Sequence, residues 1–260
     1  MTQILEKIRE KSPLVHNITN YVVMNNTANA LLSIGASPVM AHAMEEVEDI
    51  VRISSSLVIN MGTLSENWVK SMLLAVKEAK NTATPFVFDP VGVGASAYRT
   101  ATALKIIETA TPSVIRANAS EIMALAQLSQ STKGVDSTID TQNALEGAIL
   151  LSKKLNNTIV ISGAVDYVIT NDSVTKILNG SPLMSKVTGM GCTATAIVGA
   201  CIAVENDYHK AATTAMVIMG IAGEMAENSS KGPGSFQTCF LDSLYHLSTE
   251  DIKNNVRVNG

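Results

Sequence analysis

Short apolar runs alternate with longer stretches of helical periodicity along nearly the whole chain, and this alternation constrains the fold more than any other feature. It is the pattern of βαβ units around a largely parallel sheet, whose strands are covered on both faces and so read as near-continuous apolar residues. The spacing predicts strands at Pro38–Ala41, Leu57–Asn60, Phe86–Asp89, Ser113–Arg116, Thr158–Ser162 and Tyr167–Thr170. Val174–Leu178 is expected to return antiparallel to the last of these across the Asn171-Asp172-Ser173 turn. Helical patterns fall at Asn20–Leu32, Glu45–Ile53, Ser65–Ala79, Thr100–Thr109, Glu121–Leu128, Gln142–Leu155, Cys192–Val204, Tyr208–Glu227 and Ser235–His246. Ser65 ahead of an acidic first turn and Gly35 just past Leu32 mark helix ends. Trp68, Met72, Leu73 and Val76 recur at helical spacing, so the tryptophan and many of the methionines are read as core filling.

With 260 residues, 46% of them hydrophobic and 16% charged, the chain has ample apolar material for one α/β domain spanning residues 1–260. No linker, repeat or low-complexity segment divides it, and the polar stretch 129–140 is expected to be a surface excursion. A surface so short of charge predicts a homo-oligomer. The net charge of −4 and an aromatic content of 4% provide neither phosphate-backbone attraction nor base stacking, so nucleic acid is not an expected partner. Cys192, Cys201 and Cys239 lack disulfide or zinc spacing, and the N-terminus has no continuous apolar stretch of the kind a signal peptide needs. A reducing, cytoplasmic setting is expected. Val187 to Val204 carries no charge and touches the length of a membrane span, but Thr188, Gly189 and Gly191 break its first turn. A buried core helix is expected there, and no membrane partner.

In open α/β sheets ligands bind beyond the carboxyl ends of the strands. The residues at those ends are Met40, Gly62, Asp89, Asn118 with Glu121, and Ser162 with Gly163, and Arg116 lies beside them. Two acids, several small residues and an arginine on one rim are the inventory for a magnesium-bound polyphosphate. In Lys186-Val-Thr-Gly-Met-Gly-Cys-Thr-Ala-Thr-Ala196, a glycine-rich turn runs straight into an Ala/Val-rich helix. Gly189 and Gly191 permit positive φ and close approach, while the free amides of a first helical turn favour an anion. Cys192 is expected at the rim of this anion hole. Two other readings fit the glycines, a GxGxxA dinucleotide fingerprint and a packing turn; the first lacks the early chain position and the acidic strand end that it requires. Neither a Walker A sequence nor a GxSxG elbow occurs. Asp89-Pro-Val-Gly-Val-Gly-Ala95 places an acid, a proline and glycines at a second strand end, and Asn118-Ala-Ser-Glu121 places an amide and a carboxylate on a new helical turn suited to metal-bound water. His209 and His246 are expected to be exposed and His42 structural. His16-Asn17-Ile-Thr-Asn20 is read as a polar loop before a helix, for substrate contact or for capping.

Taken together, the segments His16-Asn17-Ile-Thr-Asn20, Gly35-Ala-Ser-Pro-Val-Met40, Asp89-Pro-Val-Gly-Val-Gly94, Ile115-Arg-Ala-Asn118-Ala-Ser-Glu121, Lys186-Val-Thr-Gly189-Met-Gly191-Cys192 and Lys231-Gly-Pro-Gly-Ser-Phe-Gln237 resemble the hydroxyethylthiazole kinases of thiamine salvage over most of the chain. The resemblance implies a ribokinase-like three-layer α/β/α fold, with a largely parallel central sheet and helices on both faces. It implies ATP-dependent phosphorylation of the hydroxyl of 4-methyl-5-(2-hydroxyethyl)thiazole, with Mg2+, in a homotrimer whose sites lie between subunits. It further implies that Met40, Gly189, Asn17 and Gly62 contact the thiazole alcohol, that Arg116 and Ser162 hold ATP, and that Asp89 and Glu121 orient the metal. Gly189, Gly191 and Cys192 would carry catalysis. The wider superfamily places an aspartate base where this chain has Cys192, so the thiol is expected to be a modest base or a positioning group.

Overall fold

The computed structural model describes residues 1–129 and 141–260; the expected polar excursion lies outside them from residue 130 on. The strands are β1 Leu14–Ile18, β2 Ser37–Val39, β3 Ser56–Asn60, β4 Phe86–Asp89, β5 Val114–Asn118, β6 Thr158–Ser162, β7 Asp166–Thr170, β8 Ser173–Ile177 and β9 Val258–Asn259. Among the described residues they form one sheet in the order β2-β1-β3-β4-β5-β6-β7-β8-β9. Pairing is parallel from β2 across to β6. It turns antiparallel from β6 to β9, with the β7–β8 hairpin where the sequence placed it.

The helices are α1 Thr2–Lys11, α2 Met24–Ile34, α3 Val47–Ile53, α4 Glu66–Thr82, α5 Ala97–Thr109, α6 Ala119–Ser129, α7 Thr141–Leu155, α8 Met190–Ile202, α9 Tyr208–Ser229, α10 Pro233–His246 and α11 Thr249–Asn255. Apolar residues of α1, α2 and α8 to α11 share one core with Val15, Val58, Val87, Val114 and Val160 of the sheet. Those of α3 to α7 share a second core with Ile18, Ile59, Phe88, Ile115 and Ile161 on the opposite face. This is the three-layer α/β/α arrangement. Helix α8 is buried on nearly every side, between the sheet and the helices α2 and α9. That explains why its sequence is apolar all round rather than amphipathic. Among the described residues no helix is long and apolar enough to cross a membrane.

Side chains alternate across a strand, so residues two apart share a face. The valines under α8 are each followed, two residues on, by Asn17, Asn60, Asp89, Arg116 and Ser162. A row of polar side chains is thereby set at the carboxyl rim, on the α8 face.

Several elements differ from the sequence reading. The segment read as a polar loop at His16–Asn20 is largely strand β1, which lies between β2 and β3, and both His16 and Asn17 are fully buried. Their polarity is met in part: His16 Nε2 bonds Ala41 O at 2.8 Å and Asn17 Nδ2 donates to Val15 O at 2.9 Å. Helix α2 accordingly begins at Met24, and α8 begins at Met190 rather than at Cys192. His209 is not a free surface ring; it sits between Thr175 Oγ1 at 2.8 Å and Thr170 Oγ1 at 3.0 Å. Gly35 does end α2, with φ 93°, and Ser65 caps α4 by accepting from Trp68 N at 3.3 Å. Ser65→Ala should therefore cost about 1 kcal/mol. A thermal melt should show this as a drop in Tm of about 2–4 °C, with activity unchanged.

Candidate active site

The rim is wired together by hydrogen bonds around Asp89. This carboxylate ends β4 and is 1% exposed. Its Oδ2 accepts from Asn60 Nδ2 at 2.8 Å and from Thr195 Oγ1 of α8 at 2.7 Å. Arg116 Nη1 stands 3.6 Å from the same oxygen, while Oδ1 is buried with no partner. Burial pushes the Asp89 pKa up to about 6 against the pull of Arg116. An unpartnered, desolvated carboxylate oxygen is a position that a hard divalent cation fits, since Mg2+ takes one or two carboxylates and fills its shell with water and phosphate oxygens. Among the described residues no group of three or more His, Cys, Asp or Glu is arranged as a protein-only metal cage.

Glu121 also has a structural role that its spacing did not reveal. Asn118 Oδ1 accepts from Glu121 N and Glu121 Oε2 accepts from Asn118 N, both at 2.9 Å, so the pair closes a reciprocal cap on α6. Its Oε1 accepts from Gly92 N at 2.8 Å, tying the Asp89-Pro-Val-Gly92 turn to that helix. With one amide on each oxygen, Glu121 meets a cation best through water.

Asn20, read from the sequence as a residue for substrate contact or capping, belongs to the site, and so does Asn60, which the sequence reading did not single out. Asn20 Nδ2 donates to Asn60 Oδ1 at 2.8 Å and to Cys192 Sγ at 3.5 Å, so a chain of amides links the thiol to Asp89. Asparagines near strand ends read as turn residues; the Val-x-polar rhythm shared by β1, β3, β4, β5 and β6 was the signal available for Asn60. Gly62 N donates to Asn60 Oδ1 at 2.9 Å, and a Cβ on Gly62 would fall 2.4 Å from Asn20 Nδ2. The glycine is thus required for the amide chain to close. Burial raises the Cys192 pKa above its ordinary value, and the charge of Asp89 adds to the rise. The thiol therefore stays neutral despite its place in the first turn of α8.

A cavity of about 750 Å3 opens beside this network, lined in part by Arg116, Ser162, Gly163, Gly189 and Gly191. Arg116 donates a short hydrogen bond to Ser162 Oγ. Gly189, with φ 85°, is the N-cap of α8, and no side chain caps it. Thr193 N is the first α8 amide with an acceptor, Gly189 O at 2.8 Å, so the amides of Met190, Gly191 and Cys192 are left free. Positive φ is confined to Gly189; Gly191 instead provides room, because a Cβ there would lie 2.7 Å from Arg116 Nη1. Bare amides, a helix dipole and a guanidinium together form an anion cradle. The turn follows a 3-10 segment, Pro182–Lys186, rather than a strand, which removes the context that a dinucleotide fingerprint needs.

The structure thus gathers Arg116, Ser162, Gly189 and Gly191 at the cavity, and Asp89 and Cys192 on the adjoining network. Gly62 joins that network through Asn60. Asn17 is 0% exposed within β1, its Oδ1 unpartnered, and Met40 follows edge strand β2; neither lines the cavity.

A model of the hydroxyethylthiazole kinase family matches residues 5–250. A hydroxyethylthiazole kinase from Leptospira biflexa serovar Patoc is 54% identical over 252 residues, covering 97% of this chain and 94% of the relative. The solved structure of a hydroxyethylthiazole kinase from Pyrococcus horikoshii superposes with a TM-score of 0.92 at 41% identity, covering 99% of this chain and 97% of the other. A ribokinase-like superfamily protein from Enterococcus faecalis shares the fold at a TM-score of 0.65 and 13% identity, covering 96% and 95%.

Proposed function

The chain belongs to the hydroxyethylthiazole kinase family, and from that premise we propose that it moves the γ-phosphoryl group of ATP, as the Mg2+ complex, onto the hydroxyl of 4-methyl-5-(2-hydroxyethyl)thiazole. The observation that carries this reading is the bare first turn of α8, whose amides open beside Arg116 on a cavity of nucleotide size. In this reading Arg116 and Ser162 hold the ATP phosphates. The Gly189–Cys192 amides receive the charge that spreads over the transferred group. Asp89 would hold Mg2+ directly and Glu121 through water; when bound, the ion neutralises phosphate charge and orients the leaving diphosphate. The acceptor alcohol lies toward Cys192, contacting Gly189, Gly62 and Met40, while Asn17, buried in β1, would act from behind that surface. Its oxygen attacks the γ-phosphorus in line, and the bond to the bridging oxygen breaks.

Cys192 positions the alcohol more than it deprotonates it, because its thiol is held neutral and a loose transition state asks little of a base. We extend the proposal to a cytoplasmic homotrimer acting through one domain, residues 1–260, with sites between subunits. The unpaired cysteines and the exposed apolar side chains of Tyr21, Val22, Leu32 and Ile53 support it.

The test is ADP release by the purified protein in a coupled assay with Mg2+ and ATP. Release should depend on the thiazole alcohol and stop when Mg2+ is chelated. Equal release without the alcohol, or binding of NAD in preference to ATP, would contradict the reading.

A further inference from the structure

The cavity beside α8 has two walls of opposite chemistry. Arg116, Ser162, Gly163 and the bare amides form one. Met184, Val187, Met216 and Met219 dominate the other, with Met190 between them. The sequence placed the methionines in the core; Met216 and Met219 are indeed buried, yet they also face this space. Unbranched thioethers suit the flat face of an aromatic ring without demanding a particular ring edge.

On this second wall the amide side chain is already spent on the protein, while the two serine hydroxyls keep part of their capacity. Asn179 is 4% exposed. Its Nδ2 donates to Asn255 O at 2.8 Å and to both oxygens of Glu224 at 3.3 Å, and its Oδ1 accepts from Arg257 N at 2.8 Å. Ser181 Oγ accepts from Leu183 N at 3.1 Å, and Ser185 Oγ donates to Pro182 O at 2.8 Å. The one carboxylate among the lining residues, Asp166, belongs to the opposite wall. Gly163 N donates to its Oδ1 at 2.9 Å, and Arg116 is its charged neighbour. No amide, carboxylate or guanidinium side chain on the methionine wall is left to read a donor or acceptor pattern.

We infer that this wall receives the nucleobase by shape and dispersion, with only serine hydroxyls, which can donate or accept, left to meet its edge, so that GTP and ITP serve as phosphoryl donors alongside ATP. The inference rests on the kinase reading above. Apolar pockets discriminate by roughly 10–200-fold, whereas a site built to hydrogen-bond a particular group rejects its analogue by about 10⁴–10⁵. A purine amino group exchanged for a carbonyl falls in the weaker class here.

The experiment compares kcat/KM for ATP, GTP and ITP at saturating thiazole alcohol. GTP and ITP are expected within about tenfold of ATP. A loss of about 10³-fold or more for GTP would reveal a base-reading hydrogen bond and overturn the inference. Met184→Ala truncates a partly exposed side chain and should raise KM for ATP and GTP together, several-fold and at most about tenfold. Unchanged KM for both would mean that the base lies elsewhere. Equilibrium binding of ATP and GTP to the same protein without alcohol reads the same ratio. If the nucleotides bind but no turnover occurs, the kinase reading falls, while the ratio still decides the question of base selectivity.

Discussion

Asp89→Asn is expected to lower kcat by about 10²–10³-fold, the usual loss when one preorganised charge is removed from a transition state. The amide keeps the shape of the side chain and can still accept from Asn60 and Thr195, so the fold should survive. What disappears is the negative charge at the buried, unpartnered Oδ1, and with it the cation contact proposed for that oxygen. Removing a desolvated carboxylate whose pKa is already pushed up to about 6 should leave the melting temperature level or slightly higher. Cys192→Ala should cost less, about tenfold or below, because general-base help is worth least when the transition state is loose. Steady-state kinetics on the two variants, each checked by thermal melt, decide the order. A folded Cys192→Ala enzyme slower than Asp89→Asn would reverse the division of labour proposed here.

Gly191→Ala should separate activity from stability. The residue lies in the first turn of α8, where alanine is at least as good a helix former and its φ imposes no strain. Yet its Cβ would sit 2.7 and 2.9 Å from the two terminal nitrogens of Arg116. A guanidinium at the end of a flexible chain gives way before the helix does. It would then leave Ser162 and turn away from the phosphate cradle. Losing a charge-assisted contact of about 1.5–3 kcal/mol corresponds to a rise of about 10–150-fold in KM for ATP. The same protein should melt within about 1 kcal/mol of the parent. An unchanged KM would show that Arg116 does not meet the nucleotide.

How much of this could be read beforehand varied with how continuous each apolar run was. Strands β4 and β6 have the predicted bounds because Phe86-Val-Phe and Ile159-Val-Ile are unbroken and end at polar residues. Strand β1 escaped because His16 and Asn17 stand within it. Polar side chains in a strand with neighbours on both sides look like a loop unless one foresees that Ala41 O and Val15 O will each take one of their hydrogen bonds. Helix α11 buries only Ile252 and so has no stripe to read, whereas α1 sets Ile4, Leu5 and Ile8 on one face, a helical signal that was present but passed over. Asp89, Arg116 and Ser162 were legible as strand-end residues, and the glycine turn as a helix start. The relation of Gly191 to Arg116 was not, since it depends on how α8 lies across the sheet rather than on local spacing. The pairing of Glu121 with Asn118 was visible as spacing, but its use as a cap could not be told from a metal role without coordinates.

The side-chain nitrogen of Asn20 reaches in two directions at once, toward sulfur on one side and, through Asn60, toward the buried carboxylate on the other. Two amides in series span the gap, so a displacement of the carboxylate has a hydrogen-bonded route to the sulfur. Under the proposed function, any change this makes in the fit of one reactant would appear with equal free energy in the fit of the other, in whichever order they arrive. An enzyme wired in this way would grip its small alcohol most firmly only after the phosphate donor is seated.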